Sequence, residues 1–115
     1  MVYPLNSAQA LKLWHDVNLA QVLDDKPDLS VRQVTILLTI YMEAPPHTVR
    51  ALAAKLSVSK PVITRALDSM GKIGLVSRRR DETDKRNVLI QRTVKGSLYL
   101  ERLADSVSAT SGQLR

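Results

Sequence analysis

The 115-residue chain contains no cysteine. That absence excludes disulfides, thiolate nucleophiles, thiolate metal sites and cysteine-based redox sensing together. No apolar stretch is long and uninterrupted enough to span a bilayer. Internal repeats and low-complexity blocks are missing, and no segment is rich enough in Pro, Gly and Ser to suggest disorder. The first residues, MVYPLNSAQA, lack a basic region followed by an apolar one. No secretory signal is therefore expected, and the expected setting is the cytoplasm, without a membrane partner. His15 and His47 have no second ligand at metal spacing, so no zinc is expected. Asp81, Glu82 and Asp84 lack the repeated oxygen spacing and central glycine of a calcium loop. No Gly-rich phosphate loop, nucleophile elbow or paired carboxylate is present, so neither a cofactor nor an enzymatic activity is expected.

What is present points elsewhere. Hydrophobic residues make up 44% of the chain, enough for a core, and the length suits one domain over residues 1–115. So small a domain buries a modest share of its surface, and a partner subunit would add stability. The formal net charge is +6, which suits an anionic partner, either nucleic acid or an acidic membrane surface. Its distribution is uneven. Between His47 and Gly96 stand twelve Lys and Arg against four acids, a net of +8 that leaves −2 for the rest.

Periodicity and capping signals order the chain as helix, helix, short helix, helix, hairpin, helix. A first helix is expected from Ser7, as N-cap, to Leu23. Its apolar residues (Leu11, Leu13, Trp14, Val17, Leu19, Ala20, Val22, Leu23) spread around most of the circumference. The stretch Asp24 to Asp28 breaks it. Ser30 with Gln33 forms a capping box, and Leu29 with Val34 has the spacing of a hydrophobic staple. Val34, Leu37, Leu38 and Tyr41 then mark a core-facing stripe that ends before Pro45 and Pro46. Thr48 caps a short helix carrying Val49, Leu52, Ala53 and Leu56, and Ser57-Val58 makes the turn. Ser59 caps a fourth helix with Pro61 in its first turn, a buried face of Val62 or Ile63, Ala66, Leu67 and Met70, and Gly74 at its left-handed end. Alternation then predicts two short strands, residues 75–78 and 88–90, joined by a polar turn from Asp81 to Arg86. Thr93 caps a last helix, in which Leu100, Leu103, Val107 and Leu114 follow a/d-like spacing.

The short helix, tight turn and helix beginning Ser59-Lys60-Pro61-Val62-Ile63-Thr64-Arg65 form a helix-turn-helix pattern. In that arrangement the first turns of the second helix face base edges in the major groove. Arg78, Arg79 and Arg80 are expected to face phosphates in part, since an alternating strand cannot aim all three one way. Arg65 could instead pair with Asp68 three residues on.

Leu56 to Asp68, then Gly74-Leu75-Val76, Arg79, Asp84-Lys85-Arg86, Leu89, Thr93 and Gly96 resemble the MarR family. The likeness extends over roughly residues 29–103 and is strongest from Thr48 to Gly96. It implies a mainly α fold with a small β-hairpin wing, a winged helix-turn-helix whose DNA-binding core covers about residues 29–96. Helices at about 7–24 and 94–111 would form the dimer. The resemblance further implies a regulator that sets its fourth helix in the major groove of double-stranded DNA and a wing arginine in the minor groove. By position, Ser59, Lys60, Pro61, Thr64 and Arg65 look like the recognition-helix contacts. Arg79, Lys85 and Arg86 look like the basic residues of the wing, with Arg86 at its tip and Asp84 holding it. A homodimer is expected, and a small-molecule effector is compatible with the family. Position 92, apolar in most relatives, is Arg here, with little consequence expected for function. The alternatives are a winged-helix adaptor or antirepressor working through protein contacts, and a non-regulatory architectural or phage DNA binder. The +8 segment weighs against the adaptor.

Overall fold

The elements follow from how each helix end is satisfied. A computed structural model describes residues 4–24 and 27–114. Five helices and one hairpin run in the order α1 (Ser7–Leu23), α2 (Val31–Met42), α3 (Val49–Leu56), α4 (Lys60–Lys72), β1 (Val76–Arg80), β2 (Val88–Arg92) and α5 (Val94–Gly112). This is the mainly α, hairpin-bearing winged helix-turn-helix that the sequence implied. Both strands run two residues further than expected, pairing antiparallel from Val76 opposite Arg92 to Arg80 opposite Val88.

The chain divides into two units, one of residues 29–99 and one of the residues before and after them. In the first unit, Ser30 and Gln33 cap α2 reciprocally. The Gln33 N–H donates to Ser30 Oγ at 3.1 Å, and the Ser30 N–H donates to Gln33 Oε1 at 2.8 Å. The expected stripe on α2 needs correction. Ile36, Leu37, Thr39 and Ile40 are its buried residues, whereas Val34, Leu38 and Tyr41 are half-buried. Because α2 packs against both α4 and β2, its covered arc is broader than a single stripe and is displaced from the expected one. Thr48 caps α3 through Ala51, and Ser57 takes the left-handed turn at φ 55°. Ile63, Ala66, Leu67 and Met70 form the inner face of α4. Gly74, at φ 79°, makes the turn into the buried pair Leu75 and Val76.

Polar bonds lock the hairpin to the helices. The Tyr41 hydroxyl accepts from the Thr93 N–H at 2.8 Å and lies 3.0 Å from the carbonyl oxygens of Leu75 and Thr93, to which its single proton is offered. Thr93 Oγ1 donates to the Gly74 carbonyl at 2.7 Å and accepts from the Gly96 N–H at 3.0 Å, which caps α5. A Cβ at Gly96 would run into the Tyr41 hydroxyl and the Leu75 carbonyl. Arg92 has a structural use that the sequence did not reveal. Its Nε and Nη2 donate to the carbonyls of Ile40 (2.9 Å) and Glu43 (3.0 Å) and so close the end of α2.

The second unit is different in kind. Asn6, rather than Ser7, is the N-cap of α1, because Gln9 stands three residues on and completes the capping box with it. Val17 is the buried residue of α1, while Leu11 (71% exposed), Trp14 (62%) and Leu23 (74%) face outward. Leu100 and Leu103 on α5 are half-buried and Val107 is exposed. Leu114 falls beyond the helix end at Gly112 and so does not continue the stripe. Of the expected linker, Asp25 and Lys26 lie outside the described residues. Among the described residues no helix is long and apolar enough to cross a membrane.

Candidate nucleic-acid interface

The helix-turn-helix is formed by α3 and α4 across the left-handed Ser57. Ser59 occupies the N-cap position of α4 with extended backbone, but its hydroxyl makes no capping hydrogen bond. Ser59 is thus the N-cap that was expected, by backbone position and without a side-chain bond. Pro61, with no N–H to satisfy, stands in the first turn and lowers the need for a cap. The Ser59 hydroxyl is left at the exposed entrance to the helix, beside exposed Lys60, Pro61, Thr64 and Arg65.

Arg65 does not pair with Asp68. Asp68 instead binds Arg78 of β1, with Oδ1 2.8 Å from Nη1, and ties the wing strand to α4. The geometry is that of a strand reaching across a helix rather than of a helical i,i+3 pair. Arg65 and Lys60 have no ion-pair partner among the described residues.

Strand alternation divides the three arginines of β1. Arg78 and Arg80 lie on the face of buried Val76, and both are engaged: Arg78 by Asp68, and Arg80 by the Lys85 carbonyl at 2.9 Å. Arg79 stands on the opposite face, paired across the hairpin with Leu89, and has no hydrogen-bond or ion-pair partner among the described residues. Of the three arginines expected to face phosphate in part, Arg79 is thus the one left uncommitted among the described residues. Arg80 was missed as a support for the tip, and the signal for it was available, since a residue one step along an alternating strand must point the other way.

The tip itself is built by side chains bonding to their own backbone. Asp81 Oδ1 accepts from the N–H (2.9 Å) and hydroxyl (2.7 Å) of Thr83, and the Asp81 N–H donates to the Asn87 carbonyl at 3.1 Å. Asp84 then holds Arg86 at two points. Arg86 Nε donates to Oδ1 at 3.0 Å and Nη2 donates to Oδ2 at 3.1 Å, while the Arg86 N–H also reaches Oδ1 at 3.1 Å. The arginine side chain is 82% exposed although it is clamped. The Arg86 guanidinium, and after it the Arg86 N–H, hold the Asp84 carboxyl below the ordinary aspartate value, with a smaller pull from Arg50. Asp84 in turn raises the Arg86 guanidinium above its ordinary value. Lys85 is exposed beside them.

Of the nine residues expected at the site, Ser59, Lys60, Pro61, Thr64 and Arg65 gather on the first turns of α4, and Asp84, Lys85 and Arg86 gather at the wing tip. Arg79 lies on the wing strand between. His15 bonds Asp16, and His47 Nε2 lies 3.2 Å from the Glu43 carbonyl oxygen. Among the described residues no cluster of His, Asp and Glu could hold a metal ion.

Comparison with known proteins fits this arrangement. The family model described as MarR family matches residues 29–88. An organic hydroperoxide resistance transcriptional regulator of Bacillus subtilis is 33% identical over 81 residues, 70% of this chain and 54% of the relative. The chain thus spans about half the length of the curated relative that it matches. A mutant MarR from E. coli, solved in complex with operator DNA, superposes with a TM-score of 0.69 at 27% identity, covering 94% of this chain and 71% of that one. CouR from Rhodococcus jostii RHA1, solved with p-coumaroyl-CoA bound, gives 0.66 at 28% identity, covering 93% and 73%. With more than half of its residues inside the family match and its helix-turn-helix and wing in the family's arrangement, this chain belongs to the MarR family.

Proposed function

We propose that the chain is a sequence-specific regulator of transcription that binds double-stranded DNA as a homodimer and is not an enzyme. The observation that carries this reading is the Arg86 guanidinium, held in one orientation by Asp84 at the tip of a hairpin while remaining 82% exposed. A guanidinium fixed this way suits the narrow, negatively charged minor groove of A·T-rich DNA, where weak hydration and planarity favour Arg over Lys. The first turns of α4, with Ser59, Lys60, Pro61, Thr64 and Arg65, supply base readout in the major groove and contacts to the phosphates that border it. Arg79 and Lys85 supply phosphate contacts that set the register. The E. coli relative solved with operator DNA supports the DNA partner, and CouR with its bound thioester supports a small-molecule effector for this chain. Leu11, Trp14, Val22 and Leu23 on α1, with Val107 on α5, supply the apolar surface that a second copy would cover. The cytoplasm is the compartment in which such a protein meets DNA.

Titration of fluorescent duplex at several salt concentrations tests the reading. With about four phosphate contacts per subunit, the log-affinity of a dimer should fall against log salt with a slope of about −7. A slope near zero would assign the basic surface to another partner.

A further inference from the structure

Beside the recognition helix runs an open groove of about 370 Å³, walled by the first turn of α2 and by one flank of α4. Val62 and buried Ala66 line it on the α4 side, along with Ser69. Ser30 and Gln33 line the other wall, but their side chains are already committed to each other's backbone in the capping box. The groups left at the rim are two guanidiniums, Arg32 from α2 and Arg65 from α4. Both residues are exposed, and neither has a hydrogen-bond or ion-pair partner among the described residues. Two like charges on one groove repel unless an anion stands between them.

The position of the groove identifies the anion. The flanks of α4 face different neighbours. Asp68 and Gly71 lie toward Arg78 of the wing strand, and Lys60 and Thr64 share their helical flank. Val62, Arg65, Ala66 and Ser69 lie toward α2. A helix seated in the major groove has a sugar–phosphate strand on each side of it. Arg79 and Lys85 stand on the wing side. On the other side the exposed cation next to α4 is Arg32.

We infer that Arg32 is a further DNA contact, holding a phosphodiester of the strand on the α2 side of the recognition helix, with Arg65 approaching from the opposite wall. The inference rests on the DNA-binding reading proposed above and deepens it by extending the footprint to α2. Arg32 reads no base. Its loss weakens every duplex alike, and it acts through charge and two-pronged hydrogen bonding.

The test measures binding of the intact protein and of Arg32→Ala to arbitrary duplex and to fragments enriched by selection. Thermal unfolding of the variant serves as the folding control, and it should be little changed because Arg32 is exposed and its side chain makes no hydrogen bond or ion pair among the described residues. Arg32→Ala should weaken both duplexes about fivefold, lower the salt slope by about one per subunit and leave the enriched sequence as it was. Arg32→Lys should keep the slope. A duplex with one flanking phosphate replaced by neutral methylphosphonate should bind the intact protein more weakly and Arg32→Ala no more weakly than the unmodified duplex does. Unchanged affinity of Arg32→Ala beside normal binding by the intact protein would overturn this inference alone. A changed base preference would overturn it too, by making Arg32 a base reader. If the intact protein binds no duplex, the DNA-binding reading fails and this inference fails with it.

Discussion

Residues 29–99 and the helical segments outside them solve the burial problem in opposite ways. Within the first unit Ile36, Leu37, Ile40, Leu52, Ile63, Leu67 and Met70 are almost wholly removed from solvent, and Tyr41, Thr93 and Arg92 satisfy the backbone groups where helices meet the hairpin. In α1, a helix of 17 residues, Val17 is the buried one. Full burial of a Leu or Val side chain is worth about 1.5–3 kcal/mol, so the exposed Leu11, Val22 and Leu23 and the larger Trp14 hold back much of the stabilisation available to their helix. The comparison separates two sources of stability. The unit that carries the helix-turn-helix and the wing is closed by its own packing, whereas the terminal helices present apolar surface that suits a second copy.

The comparison breaks most severely at Gly96. Gly96→Ala places a methyl group against the Tyr41 hydroxyl and the Leu75 carbonyl, within a hydrogen-bonded cluster that holds α2, the turn before β1 and the start of α5. We expect a loss of about 3 kcal/mol or more, read as a lower midpoint in urea with the slope unchanged. A neutral result would mean that the cluster is loose and that the first unit is less self-contained than its packing suggests. The terminal helices should respond differently. Val107 is 39% exposed, so Val107→Glu should leave helix content intact by circular dichroism while converting a dimer to a monomer in light scattering at micromolar concentration. Binding to an operator with half-sites about 10 bp apart should then weaken by about a hundredfold, because the second half-site no longer binds as part of one molecule. An unmutated protein that is monomeric under those conditions would refute the dimer.

What could be read in advance follows the same division. Several helix ends were legible from local signals: Ser30 with Gln33, Thr48 with Ala51, and Gly74 at positive φ are set by residues a few positions apart, whereas the equally local box of Asn6 with Gln9 was passed over for Ser7. The buried face of α2 was misread because it packs on two elements at once, and one sequence window carries no record of either partner. Asp68 was the more instructive miss. On the helix Arg65 stands three residues away, yet a strand arginine ten residues on reaches it at 2.8 Å. Competition of that sort is decided by the approach of β1 to α4, a tertiary event. Arg92 was read as a neutral departure, although two carbonyls at the end of α2 needed donors; only the packing of β2 beside α2 shows which residue supplies them. Arg32 carries no motif, and its candidacy depends on the groove beside α4. The proposed contacts on α4 and at the wing tip were legible because they sit within short, contiguous runs.

A smaller effect sharpens the comparison within the unit of residues 29–99, between a residue that packs and one that is only aimed. Arg86→Ala removes no core contact and should leave thermal stability within about 0.5 kcal/mol, as is usual for exposed positions. Specific binding should fall by about 1–3 kcal/mol, with reduced preference for A·T pairs flanking each half-site. Lys in its place should restore part of the affinity and little of the flank preference, since the charge returns without the planar fork. Competition between operators that differ only in those flanks measures it, and a preserved preference in Arg86→Ala would remove the wing from sequence readout.

Asp84 gives the smallest effect and the one whose sign is most informative. Electrostatics alone predicts that removing a carboxylate near DNA tightens binding. The clamp predicts the reverse, because Arg86 without Asp84 must surrender rotamer freedom on binding that the free protein has already given up. Asp84→Ala should therefore weaken specific binding by a few-fold while nonspecific binding is unchanged or slightly tighter, and tighter binding to both kinds of duplex would reduce the wing to a charged loop. The same contact has a pH signature. Arg86 depresses the folded-state pKa of Asp84, so the stabilisation from the contact is fully present above the ordinary aspartate range. It declines as pH falls from that range and is gone once pH has fallen through the depressed value. A carboxyl-carbon NMR titration should place the Asp84 midpoint below that of an ordinary aspartate, and Arg86→Ala should move it upward. Should the midpoint stay where it is in Arg86→Ala, the carboxylate is not held by the guanidinium in solution, and the weakening expected of Asp84→Ala loses its physical basis.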